Sequence, residues 1–304
     1  CGFVNVYLNG EAFGVMQFVE KINYGMIERL ERKPGVIISP DEDKMFFMLS
    51  QQRKMKKGKP QKAVKHFSMV SRDRYRLRHK VKKERKIITD EVQTKQLLTA
   101  LSLMDGFYRN KVDINEAFVI DDLIKNIAIL LAFGHTHAFQ MHNINYFYNP
   151  WLNKFELIPT DIDSYAPFAR MWIRLYQNNA KELITVFQNN ILRKKLFDEL
   201  NIIKKSLKDG ELGTLLNERA KYYNSILWAD YPFIPLYEAK YSIRNIEKVL
   251  HWIDIYYDDS RCKECYKKIP EINYIPPDVE FTYPAIVTYE NSTNHTVLGI
   301  SSRW

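Results

Sequence analysis

The stretch VNVYLNGEAFGVMQFVEKI, residues 4–22, constrains the fold more than any other part of the chain. Two runs rich in β-branched and aromatic residues flank Asn9-Gly10, the dipeptide preferred in two-residue type I′ turns. In the first run Val4, Val6 and Leu8 fall on one face, and the second run alternates in the same way. The stretch therefore predicts an antiparallel β-hairpin.

Further along, the hydrophobic period changes from that of a strand to that of a helix. Thr89 is a suitable N-cap, and the acidic pair Asp90 and Glu91 suits the first turn of a helix that should end near Gly106. A second helix is predicted from Asn115 to Gly134, because glycine commonly ends a helix. Helices and strands in one chain predict an α+β fold.

Two short strands, INYFYN and KFELIP, are predicted after the second helix, followed by a long helical region over residues 170–266. The aromatic residues of these strands are interpreted as core, and three glutamates of the helical region as solvated. The aromatic residues are Tyr146, Phe147, Tyr148, Trp151 and Phe155, and the glutamates are Glu182, Glu199 and Glu218.

The positive charge is concentrated in residues 53–86, which contain 16 Lys and Arg residues but only two Asp and Glu residues. This local balance of +14 within a net charge of +9 leaves −5 for the remainder. The alternating run RDRYRLRHKVKK predicts a strand with one cationic face. It is either a solvated edge strand or a surface for a polyanion, an acidic substrate or membrane lipid. Few aromatic residues accompany it, so nucleic acid is an unlikely partner.

The ends of the chain suggest a piece of a longer protein. The sequence does not begin with Met, and strand-like sequence starts at once. No apolar run approaches the roughly 18 residues that a transmembrane helix needs. Residues 269–304 are Pro-rich and extended, and we expect them to lead into a further β domain. The single Cys262-x-x-Cys265 pair is a weak indication of metal or redox chemistry, and Cys1 stands alone.

The segment HNINYFYNPWLNKFELIPTDID, residues 142–163, carries the clearest chemical pattern. Asn143 follows a buried helix and leads into a predicted hairpin, which ends in Asp161-x-Asp163. Asn and Asp oxygens are hard ligands suited to Mg²⁺. Phosphoryl-transfer enzymes of the protein-kinase type hold their metal ions with a loop Asn and an Asp of the next hairpin. The order of residues therefore fits such a centre.

Three histidines, His135, His137 and His142, precede this hairpin closely. A neutral imidazole could accept a proton in catalysis. The rings could instead form hydrogen bonds that shape the loop, or His135-x-His137 could bind a transition metal, although no third ligand has suitable spacing.

Two separated blocks, residues 4–22 and 142–163, resemble the CotH kinases, atypical protein kinases first associated with bacterial spore coats. The resemblance implies an atypical protein-kinase-like fold, with a β-rich small lobe, truncated here, and a mostly helical large lobe. It also implies transfer of phosphate from ATP to Ser or Thr of a secreted, cell-surface or spore-coat protein, with Mg²⁺ or Mn²⁺ as metal. Compartment is otherwise not indicated.

The resemblance assigns candidate site residues by position. Asn143 and Asp161 match metal ligands, and Asp163 is the second acid of the same motif. Glu20 and Lys21 match the end of the hairpin block and are expected near the nucleotide.

The chain departs from the family pattern at two of these positions. Ala138 stands where the family has its catalytic Asp, and Thr160 stands where it has Trp. His137, next to Ala138, and His142, next to Asn143, are therefore the candidates for the catalytic base.

We expect three regions: residues 1–88 as small-lobe hairpin and basic insertion, residues 89–268 as the helical large lobe with the metal loop, and residues 269–304 as linker. Two other functions stay open at this point. One is a catalytically weak or inactive nucleotide-binding or surface-interaction module, which Ala138 favours. The other is a metal hydrolase built on the histidines.

Overall fold

The computed structural model describes residues 2–40, 79–81, 84–135, 138, 143–160, 181–233, 237–257, 285–290 and 296–301. The strands are β1 Gly2–Leu8, β2 Glu11–Phe18, β3 Val36–Pro40, β4 His79–Val81, β5 Ile144–Asn149, β6 Lys154–Pro159, β7 Ala285–Glu290 and β8 Thr296–Ser301. The helices are α1 Tyr24–Arg29, α2 Glu84–Ile88, α3 Glu91–Tyr108, α4 Ile114–Ala117, α5 Ile120–Ala132, α6 Lys181–Gln188, α7 Asn190–Asp209, α8 Glu211–Leu227 and α9 Ala239–Tyr257. Helices combined with small antiparallel sheets confirm the α+β prediction.

The predicted N-terminal hairpin is present as β1 and β2, which pair antiparallel. Asn9 and Gly10 both have positive φ, 53° and 87°, as a type I′ turn requires. The hairpin packs on the C-terminal end of α8, where the Phe3 and Tyr223 rings meet edge to face at 5.8 Å. There the Val15 amide donates to Asp230 Oδ2 at 2.6 Å.

The second sheet has the strand order β4-β3-β5-β6, and all its strands are antiparallel. Its strands come from both sides of residue 88. One face, which we call the α1 face, carries Ile37, Phe147 and Ile158 under Met26 and Ile27. The opposite face carries Tyr146, Phe155 and their neighbours and belongs to the main core, which α3, α5, α7 and α9 complete.

Four of the five aromatic residues interpreted as core are buried, namely Tyr146, Phe147, Tyr148 and Phe155. Trp151 is 75% exposed, so that interpretation was wrong for it. It lies in the turn between β5 and β6, where its ring meets only Lys33, with Nζ 5.7 Å from the ring centre, among the ring contacts found in the described residues.

The first predicted helix is present, but its N-cap lies one residue later than the sequence suggested. Asp90 is the N-cap of α3, and its carboxylate accepts from the Gln93 amide at 3.0 Å. Thr89 instead donates its hydroxyl to the Lys86 carbonyl at 2.9 Å, which ends the short helix α2. The helix then runs past Gly106 to Tyr108.

The second predicted helix, Asn115–Gly134, is divided into α4 and α5 by two extended residues. The Val119 amide donates to the Phe155 carbonyl at 2.9 Å, and Phe118 bridges to Phe155. This pairing with β6 replaces the helical hydrogen bonds at the break. The end at Gly134 is confirmed, with φ 71°.

Later predictions are confirmed where the structure describes them. The helical region contains α6 to α9, within Lys181–Tyr257, and the extended C-terminal part contains the antiparallel pair β7 and β8. β4, the described end of the alternating basic run, lies at the edge of its sheet. Within the described ranges, no helix has the length and apolar character needed to cross a bilayer.

Candidate functional site

The β5–β6 hairpin positions Asn143 at its open end. Ile144 pairs with Pro159, so Asn143 faces Thr160 across the hairpin. The Thr160 hydroxyl donates to the Asn143 carbonyl, which joins the two chain ends. Asn143 is 7% exposed. Asp161 follows Thr160 in the chain, and Asp161 and Asp163 lie outside the described residues.

A second amide, that of Asn145, lies beside this pair. Its Nδ2 donates to Thr160 Oγ1 at 3.2 Å. Asn145 is 6% exposed, and no donor in the described part of the chain reaches its Oδ1. A buried polar atom without a partner costs about 1–3 kcal/mol, so such atoms usually mark a ligand, a water or a functional requirement.

The residue at the position of the family's catalytic Asp, Ala138, is part of the hydrophobic core. Ala138 is 1% exposed and belongs to the main hydrophobic cluster with the residues of α5. A methyl group accepts no proton. His137 and His142, the candidates for the base, lie outside the described residues.

His135 is described, and its ring stacks on Phe133 with 6.1 Å between ring centres and 12° between planes. Its amide donates to the Leu130 carbonyl at 2.8 Å, which completes the end of α5. Among residues in the described ranges, no three His, Cys, Asp or Glu side chains converge as a metal site would need. The proposed partner His137 is not among those residues.

The end of α5, where the loop to Asn143 begins, is held by a distant helix. Buried Asn245 of α9 donates its Nδ2 to the carbonyls of Leu131 and Ala132, the latter at 3.3 Å. The Gly134 amide also donates to Leu131, and together with His135 it forms the αL helix end typical of glycine. Asn245 therefore fixes the start of the loop, a role that sequence alone did not indicate.

Glu20 and Lys21, the residues expected near the nucleotide, are both exposed. Glu20 pairs with Arg29 of α1 through two hydrogen bonds, one of 3.2 Å from Nε. Ile22, which follows Lys21, packs against the cluster on the α1 face that includes Ile158. The segment thus reaches the face of the sheet that also carries Asn145 and Thr160, whereas no described contact joins Glu20 to Asn143.

Glu182 lies on the face of β5 opposite to that of Asn145. It is 2% exposed, so the interpretation of Glu182 as a solvated residue was wrong. Tyr146 Oη donates to Glu182 Oε1 at 2.8 Å, and Tyr108 Oη lies 3.4 Å from Tyr146 Oη. Burial raises the pKa of Glu182, although a backbone hydrogen bond, the Tyr146 hydrogen bond and the Lys181 charge each lower it. Burial, followed by the Glu182 charge, raises the pKa of Tyr146 well above its usual value.

Lys181 anchors the same end of α6 to α3. Its Nζ donates to Asn110 Oδ1 at 2.6 Å and to the Phe107 carbonyl. Burial lowers the pKa of Lys181 to about 8, although the Glu182 charge opposes this. These contacts fix the start of α6 against the core, and they do not reach the face that holds Asn145.

The donor set at the hairpin end fits a hard divalent cation. Asn143 and Asn145 carry amide oxygens, Asp161 and Asp163 follow in sequence, and the unpartnered Asn145 Oδ1 is the kind of buried atom that a cation or its water would satisfy. Soft ligands such as sulfur are absent from this set. The asparagine at the second position of the strand INYFYN, between two apolar or aromatic residues, was the sequence feature that could have drawn attention to Asn145.

The model of the family described as CotH kinase protein matches residues 1–218 of the chain. That range includes both hairpins, α5 and the end of the β5–β6 unit described above. A search of curated proteins found no match. Kinases in general use ATP with a divalent metal and, in this family, a protein substrate is suggested. Since the match covers well over half of the 304 residues, the chain belongs to the CotH kinase family and has a CotH-like, kinase-related function.

Proposed function

We propose that this protein transfers a phosphoryl group from ATP to a Ser or Thr hydroxyl of a secreted or surface protein, in the presence of Mg²⁺ or Mn²⁺. The observation that supports it is the register of the β5–β6 hairpin, which sets Asn143 opposite Thr160, the residue before Asp161. Asn143 and Asp161 hold the metal, and Asp163 assists. Glu20 and Lys21 lie toward the nucleotide.

In the reaction the acceptor hydroxyl oxygen bonds to the γ-phosphorus while the bond from that phosphorus to the bridging oxygen of ADP breaks. A metal held by Asn143 and Asp161 would neutralise charge on the phosphate oxygens. The protein's contribution is to hold the metal-binding side chains in position. The Asn143 carbonyl is held by Thr160, and the end of α5, where the loop to Asn143 begins, is held by Asn245.

The hydroxyl proton passes to His137 or His142 in this proposal, because Ala138 cannot accept it. A loose transition state makes little demand on a base, and positioning with electrostatics supplies most of the rate. Activity without the usual Asp is therefore consistent with the chemistry, at a reduced rate.

A second candidate is a catalytically weak or inactive module that binds nucleotide or a surface partner. The buried Ala138 favours it, since the family's proton acceptor is replaced by a side chain that belongs to the core. In its nucleotide-binding form this candidate also uses Asn143 and Asp161, and it then differs from the kinase only in transfer.

The first test is thermal unfolding of the full-length protein with ATP and Mn²⁺. We expect an increase in Tm of several degrees for the wild type and none for Asp161→Ala, because saturating ligand stabilises only a protein that binds it. The matched control is Asp198→Ala, which removes an exposed carboxylate on α7. Absence of a shift in the wild type, or an equal shift in Asp161→Ala, would contradict the proposed site.

Labelled ATP with Ser/Thr-containing acceptor proteins then separates the two candidates. Transfer of label that Asp161→Ala abolishes supports the kinase. Nucleotide-dependent stabilisation without transfer supports the inactive module.

A further inference from the structure

Asn145 is a buried amide two residues after Asn143, at the open end of the β5–β6 hairpin. Register pairs it with Ile158 and brings its side chain to Thr160, the residue opposite Asn143. It therefore lies at the end of the sheet where the metal is proposed to bind, and the proposed function gives it no role.

The hydrogen bonds fix which way the amide faces. Thr160 has one hydroxyl proton and donates it to the Asn143 carbonyl. Thr160 Oγ1 can therefore only accept a hydrogen bond from Asn145. The Asn145 Nδ2 atom thus faces Thr160, and Asn145 Oδ1 faces away from Thr160. That oxygen is buried and has no donor among the residues that the structure describes.

A second asparagine on the same strand shows that this is not a general property of β5. Asn149, also buried, uses both ends of its amide: Nδ2 donates to Glu156 at 2.8 Å, and Oδ1 accepts from the Trp151 amide at 3.1 Å. The unpartnered oxygen is thus specific to the end of the strand that carries Asn143.

We infer that Asn145 Oδ1 is a third protein oxygen for the metal centre of Asn143 and Asp161, binding the cation directly or through one of its waters. Mg²⁺ and Mn²⁺ prefer such oxygen ligands and commonly retain waters that hydrogen-bond to nearby carbonyls. Thr160 then has two functions, since it fixes the Asn143 backbone and also holds the Asn145 amide by its nitrogen, which leaves Oδ1 available to the metal. This inference rests on the proposed function.

The test measures Mn²⁺ binding to the full-length protein in the presence of ADP, with free Mn²⁺ followed by electron paramagnetic resonance. No turnover is required. We expect Asn145→Ala to weaken Mn²⁺ binding about tenfold or more, the usual effect of losing a supporting ligand. Asn145→Asp keeps an oxygen at this position and should bind Mn²⁺ at least as tightly as the wild type.

The matched control is Asn149→Ala, which removes a buried amide of the same strand but should leave Mn²⁺ affinity unchanged, even if Tm falls. Thr160→Val tests the other explanation, in which Asn145 acts only by holding Thr160. If Thr160→Val and Asn145→Asp both lose affinity as Asn145→Ala does, the oxygen is not a ligand and the inference is wrong.

Asp161→Ala separates this inference from the proposed function. If Asp161→Ala loses Mn²⁺ binding while Asn145→Ala retains wild-type affinity, only the role of Asn145 is refuted. If the wild type and Asp161→Ala bind Mn²⁺ equally, or neither binds it, the proposed metal centre fails and the role of Asn145 fails with it.

Discussion

Glu182 is a carboxyl group buried in the core beside two tyrosine hydroxyls. Tyr146 donates to one of its oxygens, and the other oxygen has no partner within the described structure. Burial raises the pKa of Glu182 above 4.5, its ordinary value, while the Tyr146 hydrogen bond and Lys181 reduce the shift. The group therefore resists ionisation in the folded protein more than in the unfolded chain.

This shift predicts how stability depends on pH. Below about pH 4.5 the carboxyl is protonated in both states, so it adds no pH dependence. As pH rises toward the folded pKa, the unfolded chain releases the proton first, and the free energy of unfolding falls. Glu182→Gln removes this titration, so its stability relative to the wild type should increase with pH. Chemical denaturation between pH 4 and 7 measures it.

That pH range lies below the titration of Lys181, whose pKa is about 8, so the lysine stays charged throughout. The control is Glu218→Gln, which changes an exposed glutamate of α8 and should show no such trend. A constant difference between Glu182→Gln and the wild type at every pH would show that the buried carboxyl does not titrate differently on folding.

Individual residues show what sequence could and could not predict here. The position of Asn143 at the mouth of a hairpin was predictable, because hairpin register depends on residues near in sequence. The contacts that define the site join residues far apart: Thr160 is 17 residues from Asn143, and Asn245 is 114 residues from Leu131. No periodicity or spacing encodes such contacts.

At the scale of elements, the N-terminal hairpin depends on a close approach of β2 to the end of α8. Gly14 has φ 97°, a conformation that favours glycine, and a Cβ on it would lie 2.7 Å from Asp230 Oδ2. The same carboxylate accepts from the neighbouring Val15 amide. One glycine thus allows both the backbone turn and the docking contact.

We expect Gly14→Ala to destabilise the protein more than Gly10→Ala. Gly10 also has positive φ, 87°, but a Cβ there meets nothing within 4 Å. Its replacement should cost only the conformational penalty of about 1–2 kcal/mol. Gly14→Ala adds the collision with Asp230, so its cost should exceed that value in thermal or chemical unfolding.

A double-mutant cycle with Asp230→Ala isolates the collision. Gly14→Ala should cost less in that background, because the crowding carboxylate is gone. Equal costs in both backgrounds would mean that Asp230 does not restrict the hairpin.

The break between α4 and α5 shows why element boundaries were harder to predict than elements. Phe118 and Val119 continue the helical pattern of the sequence, yet they adopt extended backbone to pair with Phe155. The helix α3 likewise begins after Asp90 and not after Thr89, since the Thr89 hydroxyl is used by the preceding helix. In both places a contact outside the local pattern decides the boundary.

At the scale of the whole molecule, the sheet gathers distant segments around the candidate site. β3 and β4 precede helices α2 to α5 in sequence, yet β3 pairs directly with β5, and β4 extends the same sheet at its edge. The basic run therefore ends in the same sheet as the strand that begins after Asn143. The positive charge of this run favours the binding of acidic groups, whether on a substrate protein or on another polyanion.

The uneven charge leads to a prediction about polyanion binding. Because residues 53–86 hold +14 against −5 for the remainder, retention on a heparin column should depend on this segment and not on net charge. Replacing five of its cations by Gln should lower the salt concentration of elution markedly; these are Arg74, Arg76, Arg78, Lys80 and Lys82. The matched control replaces five exposed lysines elsewhere, Lys111, Lys125, Lys205, Lys221 and Lys248, and should elute close to the wild type. Because both variants lose the same charge, equal shifts would show that net charge alone governs binding, and the segment would then be a solvated edge without a polyanion partner.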